Sequence, residues 1–260
     1  MNTPLIGHLD MEPLRCRFNY LIKPRYVVLL LMLIGSQQLS IGVGFAQETA
    51  TFKQKLRRQV SVTWQGQELA TALQRLARAG QISLWLDRRV DRQQEISIKI
   101  VELSLADALQ HIAQQQALGF VPLKNIAYGG PQQTALELPA LIRDARDQLR
   151  RASAKYRQRW LREEAVQWPR LTEPRALVKS WLDKAEVELL GSDQIAHDLW
   201  AAQELPAMAL VDRLVLVLAG FDLTCAIRAD GRSCEIVPIT RPLKQARLET
   251  TPQRLPGGAA

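Results

Sequence analysis

Six side chains beyond residue 46, two histidines, two aspartates and two cysteines, are the first to weigh for reaction or metal binding, and their spacing decides what each could do. His111 and His197 are the two histidines after the leader. Neither has a C-x-x-C, H-x-x-x-H or histidine–carboxylate neighbour at ligand spacing, so the sequence predicts no metal site and no cofactor. Asp87 and Asp91, in DRRVD, have the look of an acid pair. Between two strand-like runs, however, they read as charged turn residues. Cys225 and Cys234 flank Asp230-Gly231, a hairpin turn signal that sets Cys234 opposite Ile227 and Cys225 diagonally on the same face. In an oxidising compartment an even cysteine count invites a disulfide, here at a diagonal rather than a favoured spacing. The competing expectation is two thiols packed beside Ile227 and Ile236, because free cysteine is readily buried. There is no G-x-S-x-G, phosphate loop or G-x-G-x-x-G, and no serine is singled out as a nucleophile, so no catalytic residue is expected.

The elements that position these residues follow from periodicity. Val60, Val62 and Trp64 alternate with polar residues in a short strand. Leu69, Ala72, Leu73, Leu76 and Ala77 then recur at helical spacing, and Gly80 stands where a helix end favours a left-handed residue. Two half-buried strands come next, with Ile82, Leu84 and Leu86 facing inward in the first and Ile96, Ile98 and Ile100 in the second. Ser104 and Asp107 make an N-cap arrangement for a helix that buries Leu105, Ala108, Leu109, Ile112 and Ala113 and stops at Gly119. Phe120 to Leu123 and Ile126 to Tyr128 close a hairpin before Gly129-Gly130-Pro131. The order is β-α-β-β-α-β-β over residues 58–131.

The same plan recurs. LSLADAL at 103–109 is echoed by MALVDRL at 208–214, and the same offset aligns Leu73 with Val178, Leu76 with Trp181, Ile82 with Val187 and Leu84 with Leu189. In this second unit, residues 169–240, Thr172 and Pro174 open a helix and Val187 to Leu190 form a strand. Ala201 and Gln203 take the places of Ile96 and Ile98, so the third strand reads as lost. Leu210 to Leu218 is a nearly wholly apolar helix before Gly220, and the hairpin of Cys225 and Cys234 ends the unit. Between the units, within a helical connector at 132–168, residues 139–165 read as a charged helix with Leu141, Ala145, Leu149, Ala152 and Tyr156 along one stripe. The fold class expected is α+β: two small two-layer modules of β-α-β-β-α-β type in tandem, joined by a charged helix. Units this small are near the lower limit of independent stability, so mutual packing is expected.

VTWQGQELATALQRLARAGQISLWLD and, further on, ISIKIVELSLADALQHIAQQQALGFVPLKNIAYG resemble the secretin and TonB short N-terminal (STN) domain over roughly residues 60–130. In that family the L..AL..LA...G helix, the LSL.DAL junction and the LGF turn occur in this order, and residues 169–240 read as a degenerate second copy. The resemblance rests on packing positions. It implies a periplasmic protein–protein interaction module of the kind found at the front of secretin pores and signal-transducing outer-membrane receptors.

The N-terminus agrees with export. Arg15, Arg17, Lys23 and Arg25 precede the apolar run Tyr26 to Ile34, and Gly44-Phe45-Ala46 has the small residues of a processing site, so residues 1–46 read as a signal peptide and 47–57 as a linker. The alternatives are a start codon further along the chain or an uncleaved inner-membrane anchor, which needs about 20 apolar residues and would be the chain's one membrane contact. Cys16 precedes the apolar run and so cannot carry a lipid on a mature first residue. The net charge of +8 is spread over the leader, the mixed-charge segment Arg143 to Arg162 and the tail at 241–260, which reads as disordered. That distribution favours a solvated basic surface over nucleic-acid binding, which would announce itself by steep salt dependence. With too little sequence after residue 240 for a barrel or pore domain, the chain is expected to assist an envelope assembly by docking a partner protein. The rival is an envelope enzyme or ligand-binding protein, for example one acting on cell-wall glycan, with its site in the groove between the units.

Overall fold

The computed structural model describes residues 51–240; the expected signal peptide and processing site within residues 1–50, and the expected disordered tail at 241–260, lie outside the described residues. The described chain is α+β, with helices packed on several small sheets, and fits a two-layer arrangement.

The first half runs β1 (Gln59–Glu68), α1 (Leu69–Gly80), β2 (Ser83–Leu86), β3 (Glu95–Ser104), α2 (Leu105–Gln115), β4 (Leu118–Pro122) and β5 (Ile126–Pro131). Strands β1 and β3 form an antiparallel ribbon, while β5 is the centre of a second sheet, parallel to β2 and antiparallel to β4. The helix pair touches both. Its apolar stripes, Leu69, Leu73 and Leu76 with Leu105, Leu109 and Ile112, meet Ile96, Ile98 and Ile100 in one core. The Ser104 hydroxyl caps α2 by accepting from the Asp107 N–H at 3.1 Å. Residues 51–56, expected as linker, are helical and add Phe52 and Leu56 to this core.

Two glycines do a different job from the one the sequence suggests. The left-handed residues after α1 and α2 are Gln81 and Ala117. Gly80 is instead a packing residue, because a Cβ there would stand 2.2 Å from Leu105 Cδ2. Gly119 lies inside β4, where a Cβ would fall 2.5 Å from Ala135 Cβ and 2.9 Å from the Gln132 backbone. Both allow close approach of neighbouring elements.

The charged segment between the halves is not one helix. It forms α3 (Gln132–Gln148), a 3-10 turn at Leu149–Arg151, α4 (Ala154–Leu161) and β6 (Glu163–Trp168). The strand escapes the sequence pattern because EEAVQW opens on two acids and buries only Trp168. From β6 the second half runs α5 (Pro174–Lys184), β7 (Glu188–Leu190), β8 (Gln203–Ala209), α6 (Leu210–Ala219), β9 (Leu223–Ile227) and β10 (Ser233–Pro238). The strand expected to be lost is therefore present as β8, paired antiparallel with β6. Its Leu205, Met208 and Ala209 are buried further along than the positions compared in the sequence. Strand β10 is parallel to β7 and antiparallel to β9, repeating the pairing around β5. Pro174 occupies the first turn of α5 as expected, but the cap position belongs to Glu173, and Thr172 Oγ1 donates to Pro169 O instead.

The halves are not separable beads on a connector. All the described residues belong to one compact unit, and the larger core takes Trp85, Ile126 and Tyr128 from the first half together with α3, α5, α6, β9 and β10. The β2–β5–β4 sheet is buried on both faces. Leu86 and Ala127 face the first core, and Trp85, Ile126 and Tyr128 face the second. This reverses the expectation for β2, whose Trp85–Asp87 face alternation alone assigns to solvent. Alternation cannot reveal a second layer that covers the supposedly exposed face.

Candidate functional site

The junction is built around a chain of rings. Trp85 of β2 reaches across to Trp168, at the end of β6, with ring centroids 6.0 Å apart, and to Trp200, before β8, at 5.5 Å, both edge-to-face. Trp168 also meets Trp181 of α5 at 6.1 Å, and Trp200 stacks on Phe221 at 6.0 Å. Ring pairs of this geometry add about 0.5–1.5 kcal/mol each beyond their burial. The Trp168 indole N–H donates to Ala201 O, which fixes the loop before β8 over the ring.

Beside the rings runs a polar clamp. Asp87 is fully buried and accepts from Arg89 Nε and Nη2, from the Arg89 N–H and, at 2.7 Å, from the Tyr128 hydroxyl. Arg89 in turn donates to Thr134 Oγ1 of α3 and to Ala219 O of α6, and pairs with Asp222. One guanidinium thus ties the first half, α3 and the second half together. Burial pushes the Asp87 pKa up, but the Arg89 and Tyr128 hydrogen bonds outweigh it and hold the carboxyl below its ordinary value. Burial and the Asp87 charge push the Tyr128 hydroxyl up. Asp87 is therefore a structural hub rather than a turn acid. Asp91 remains in the turn, accepting from the Gln93 N–H.

A groove of about 280 Å³ opens where the rings reach the surface, lined by Trp85, Trp168, Trp200, Arg88, Arg92, Asp198, Leu199 and Gln203. Arg88 lies 4.6 Å over the Phe221 ring and pairs with Asp198 at 2.7 Å. Asp198 also accepts from Trp200 Nε1 at 2.9 Å. Burial raises its pKa, yet these bonds and the Leu199 N–H hold it below the ordinary value. Arg92 is exposed, and one of its terminal nitrogens is anchored to Leu86 O at 2.9 Å. Leu199, in the groove lining, is 54% exposed, and Leu171, on the segment paired beside it, is 63% exposed. They flank a single antiparallel bridge between Thr172 and Trp200, where the Leu171 N–H donates to Trp200 O. Leu171 has φ of 66°, a conformation rare for a large side chain, and such strain gathers where surrounding structure holds a surface in place.

A second cleft, of about 380 Å³, lies between the β4–β5 turn, α3 and β8. Its charges are matched internally: Lys124 pairs with Glu163, and Arg146 donates through Nε to Asp212 at 2.6 Å. Asn125 donates to Ala207 O across it. These contacts read as another fastening between halves.

The remaining candidates are dispersed. His111 is exposed on α2, and His197 lies 3.4 Å from Glu173. Among the described residues no group of three or more His, Cys, Asp or Glu side chains could hold a metal ion. In the β9–β10 hairpin Cys234 faces Ile227 and Cys225 faces Ile236; both are buried, free thiols. Burial raises both thiol pKa values, Cys234 to about 12. Sequence reasoning misses the tryptophan groove, since its rings come from positions as distant as Trp85 and Trp200. The available signal is the presence of tryptophan at a position, 85, that alternation assigns to solvent.

Against known proteins, the chain matches no protein-family model and no curated protein.

Proposed function

We propose that the protein is an exported, non-enzymatic docking module of the cell envelope, holding a partner protein at the groove where its two halves meet and assisting an outer-membrane or secretin-like assembly. The observation carrying this reading is exposed Leu199 in the lining of a groove walled by Trp85, Trp168 and Trp200, with exposed Leu171 next to it across the Thr172–Trp200 bridge. Exposed apolar residues around a pocket with aromatic walls are what a docking surface requires. The STN resemblance of residues 60–130 and the signal-peptide layout of the leader support the envelope setting. An enzyme in the same groove would need free acids or bases converging on it. The groove carboxylate, Asp198, is instead committed to Arg88 and Trp200.

The test is site-specific photo-crosslinking in the native envelope, with the reactive side chain at position 199 and a control at Val101, which is equally exposed but lies on the β1–β3 ribbon. A discrete protein adduct from position 199 and none from 101 is expected. Absence of any protein adduct at 199 would overturn the reading, and turnover of a wall glycan by the purified chain would put the envelope enzyme in its place.

A further inference from the structure

We infer that the junction groove receives a polypeptide segment carrying a carboxylate next to a large apolar side chain, the carboxylate on Arg92 and the apolar group between Leu199 and the tryptophan wall. This rests on the docking reading above and adds the chemistry of the partner.

Charge selects the acid. Of the charged residues lining the groove, Arg88 is matched by Asp198, whereas Arg92 makes no ion pair among the described residues: the carboxylate whose charge acts on it, Asp87, is taken up by Arg89. Its anchoring to Leu86 O orients the guanidinium and leaves its other N–H donors for a planar acceptor, the geometry in which arginine holds a carboxylate through two hydrogen bonds. Size selects a side chain: about 280 Å³ falls just below the ~300–1,000 Å³ range of small-molecule pockets. The rings argue against a sugar. Trp168, Trp85 and Trp200 are 4%, 7% and 9% exposed, which leaves too little open ring face for a pyranose to stack on.

The protein's own tail is the nearest competitor. It departs after Ile239, whose N–H donates to Asp222 O beside Phe221, the ring stacked on Trp200. Arg241, Lys244 and Arg247 make the tail basic, and Arg92 would repel it.

The full chain is titrated with three end-blocked hexapeptides while binding is followed by calorimetry: Asp-Glu-Leu-Phe-Asp-Glu, the same peptide with lysine at every acid, and the same peptide with serine in place of leucine and phenylalanine. Binding of the acidic, apolar peptide at least tenfold tighter than either of the others is expected. Arg92→Gln should remove most of that preference with at most a small drop in melting temperature from the lost bond to Leu86 O, Arg92→Lys should keep part of it, and Leu199→Glu should abolish binding. Equal binding of the lysine peptide, no binding of any peptide, indifference to Arg92→Gln, or displacement by an N-acetylglucosamine tetramer would each overturn the inference. So would a chain ending at Thr240 that binds the acidic peptide more than tenfold better than the full chain, since the tail would then be the occupant. A position-199 crosslink to a partner segment lacking acids would overturn this inference alone, whereas no crosslink to any protein would remove the docking reading beneath it.

Discussion

The two halves share an element order and a strand-pairing scheme but bury different things. In the first, α1 and α2 close over Ile96, Ile98 and Ile100 to make a core that draws on its own elements and the segment before β1. In the second, α6 is buried on every side, and the core beneath it is completed by Trp85, Ile126 and Tyr128 of the first half. A repeated topology therefore does not produce two equal domains. The first half carries a sheet with two buried faces, and the second is built onto it.

Trp85→Ala probes that asymmetry most strongly. Removing a buried tryptophan side chain costs about 3–5 kcal/mol. The loss should appear in denaturant unfolding as a broadened or split transition, because the link between halves is weakened. Ile98→Ala, in the first core, should cost about 2–5 kcal/mol while leaving the transition single.

Asp87→Ala comes next. It leaves Arg89 without its buried partner, an arrangement worth about 3–5 kcal/mol when broken, with the lower end expected because Arg89 is partly exposed. The same residue sets an acid limb. Its folded pKa is below the ordinary 3.8, so its stabilisation is complete above that value and is lost as pH falls through the folded one. Asp87→Asn should flatten this limb, measured as melting temperature between pH 2 and about 5.

Gly119→Ala is a smaller perturbation. The added methyl meets Ala135 and the α3 backbone, and overpacking of this kind costs about 1–3 kcal/mol. A Gly119→Ala protein as stable as the parent would mean that α3 does not press on β4.

The least stability change is expected at the surface and for the thiols. Leu199→Glu should move stability by no more than about 0.5 kcal/mol while removing partner binding. Cys225 and Cys234, buried and with raised pKa values, should resist alkylation in the native protein and take up one label each on unfolding. A mass two hydrogens lighter under non-reducing conditions would show a disulfide instead.

These contrasts also mark how far the sequence is legible. The first half can be read because its periodicities are clean: Ile96, Ile98 and Ile100 alternate, Leu69 to Ala77 keep helical spacing, and Ser104 caps α2. β6 and β8 resist the same reading. Glu163 and Glu164 give the first a helix-like charged face, and in the second Leu205 and Met208 are buried on opposite sides of an intervening proline and alanine. Trp85 and Asp87 mislead for a related reason: period-2 patterning reports one covered face, and here both are covered. The groove is invisible in the sequence because its parts meet only through tertiary packing. The turn register that sets Cys234 opposite Ile227 depends on local chemistry alone, and it can be read.

The most direct measurement is equilibrium unfolding of the full chain followed simultaneously by tryptophan fluorescence, which is weighted toward the junction rings, and by far-ultraviolet circular dichroism, which reports all elements. One coincident transition is expected if the halves share the Trp85–Trp168–Trp200 core. Two separated transitions, with the fluorescence change confined to one of them, would contradict it.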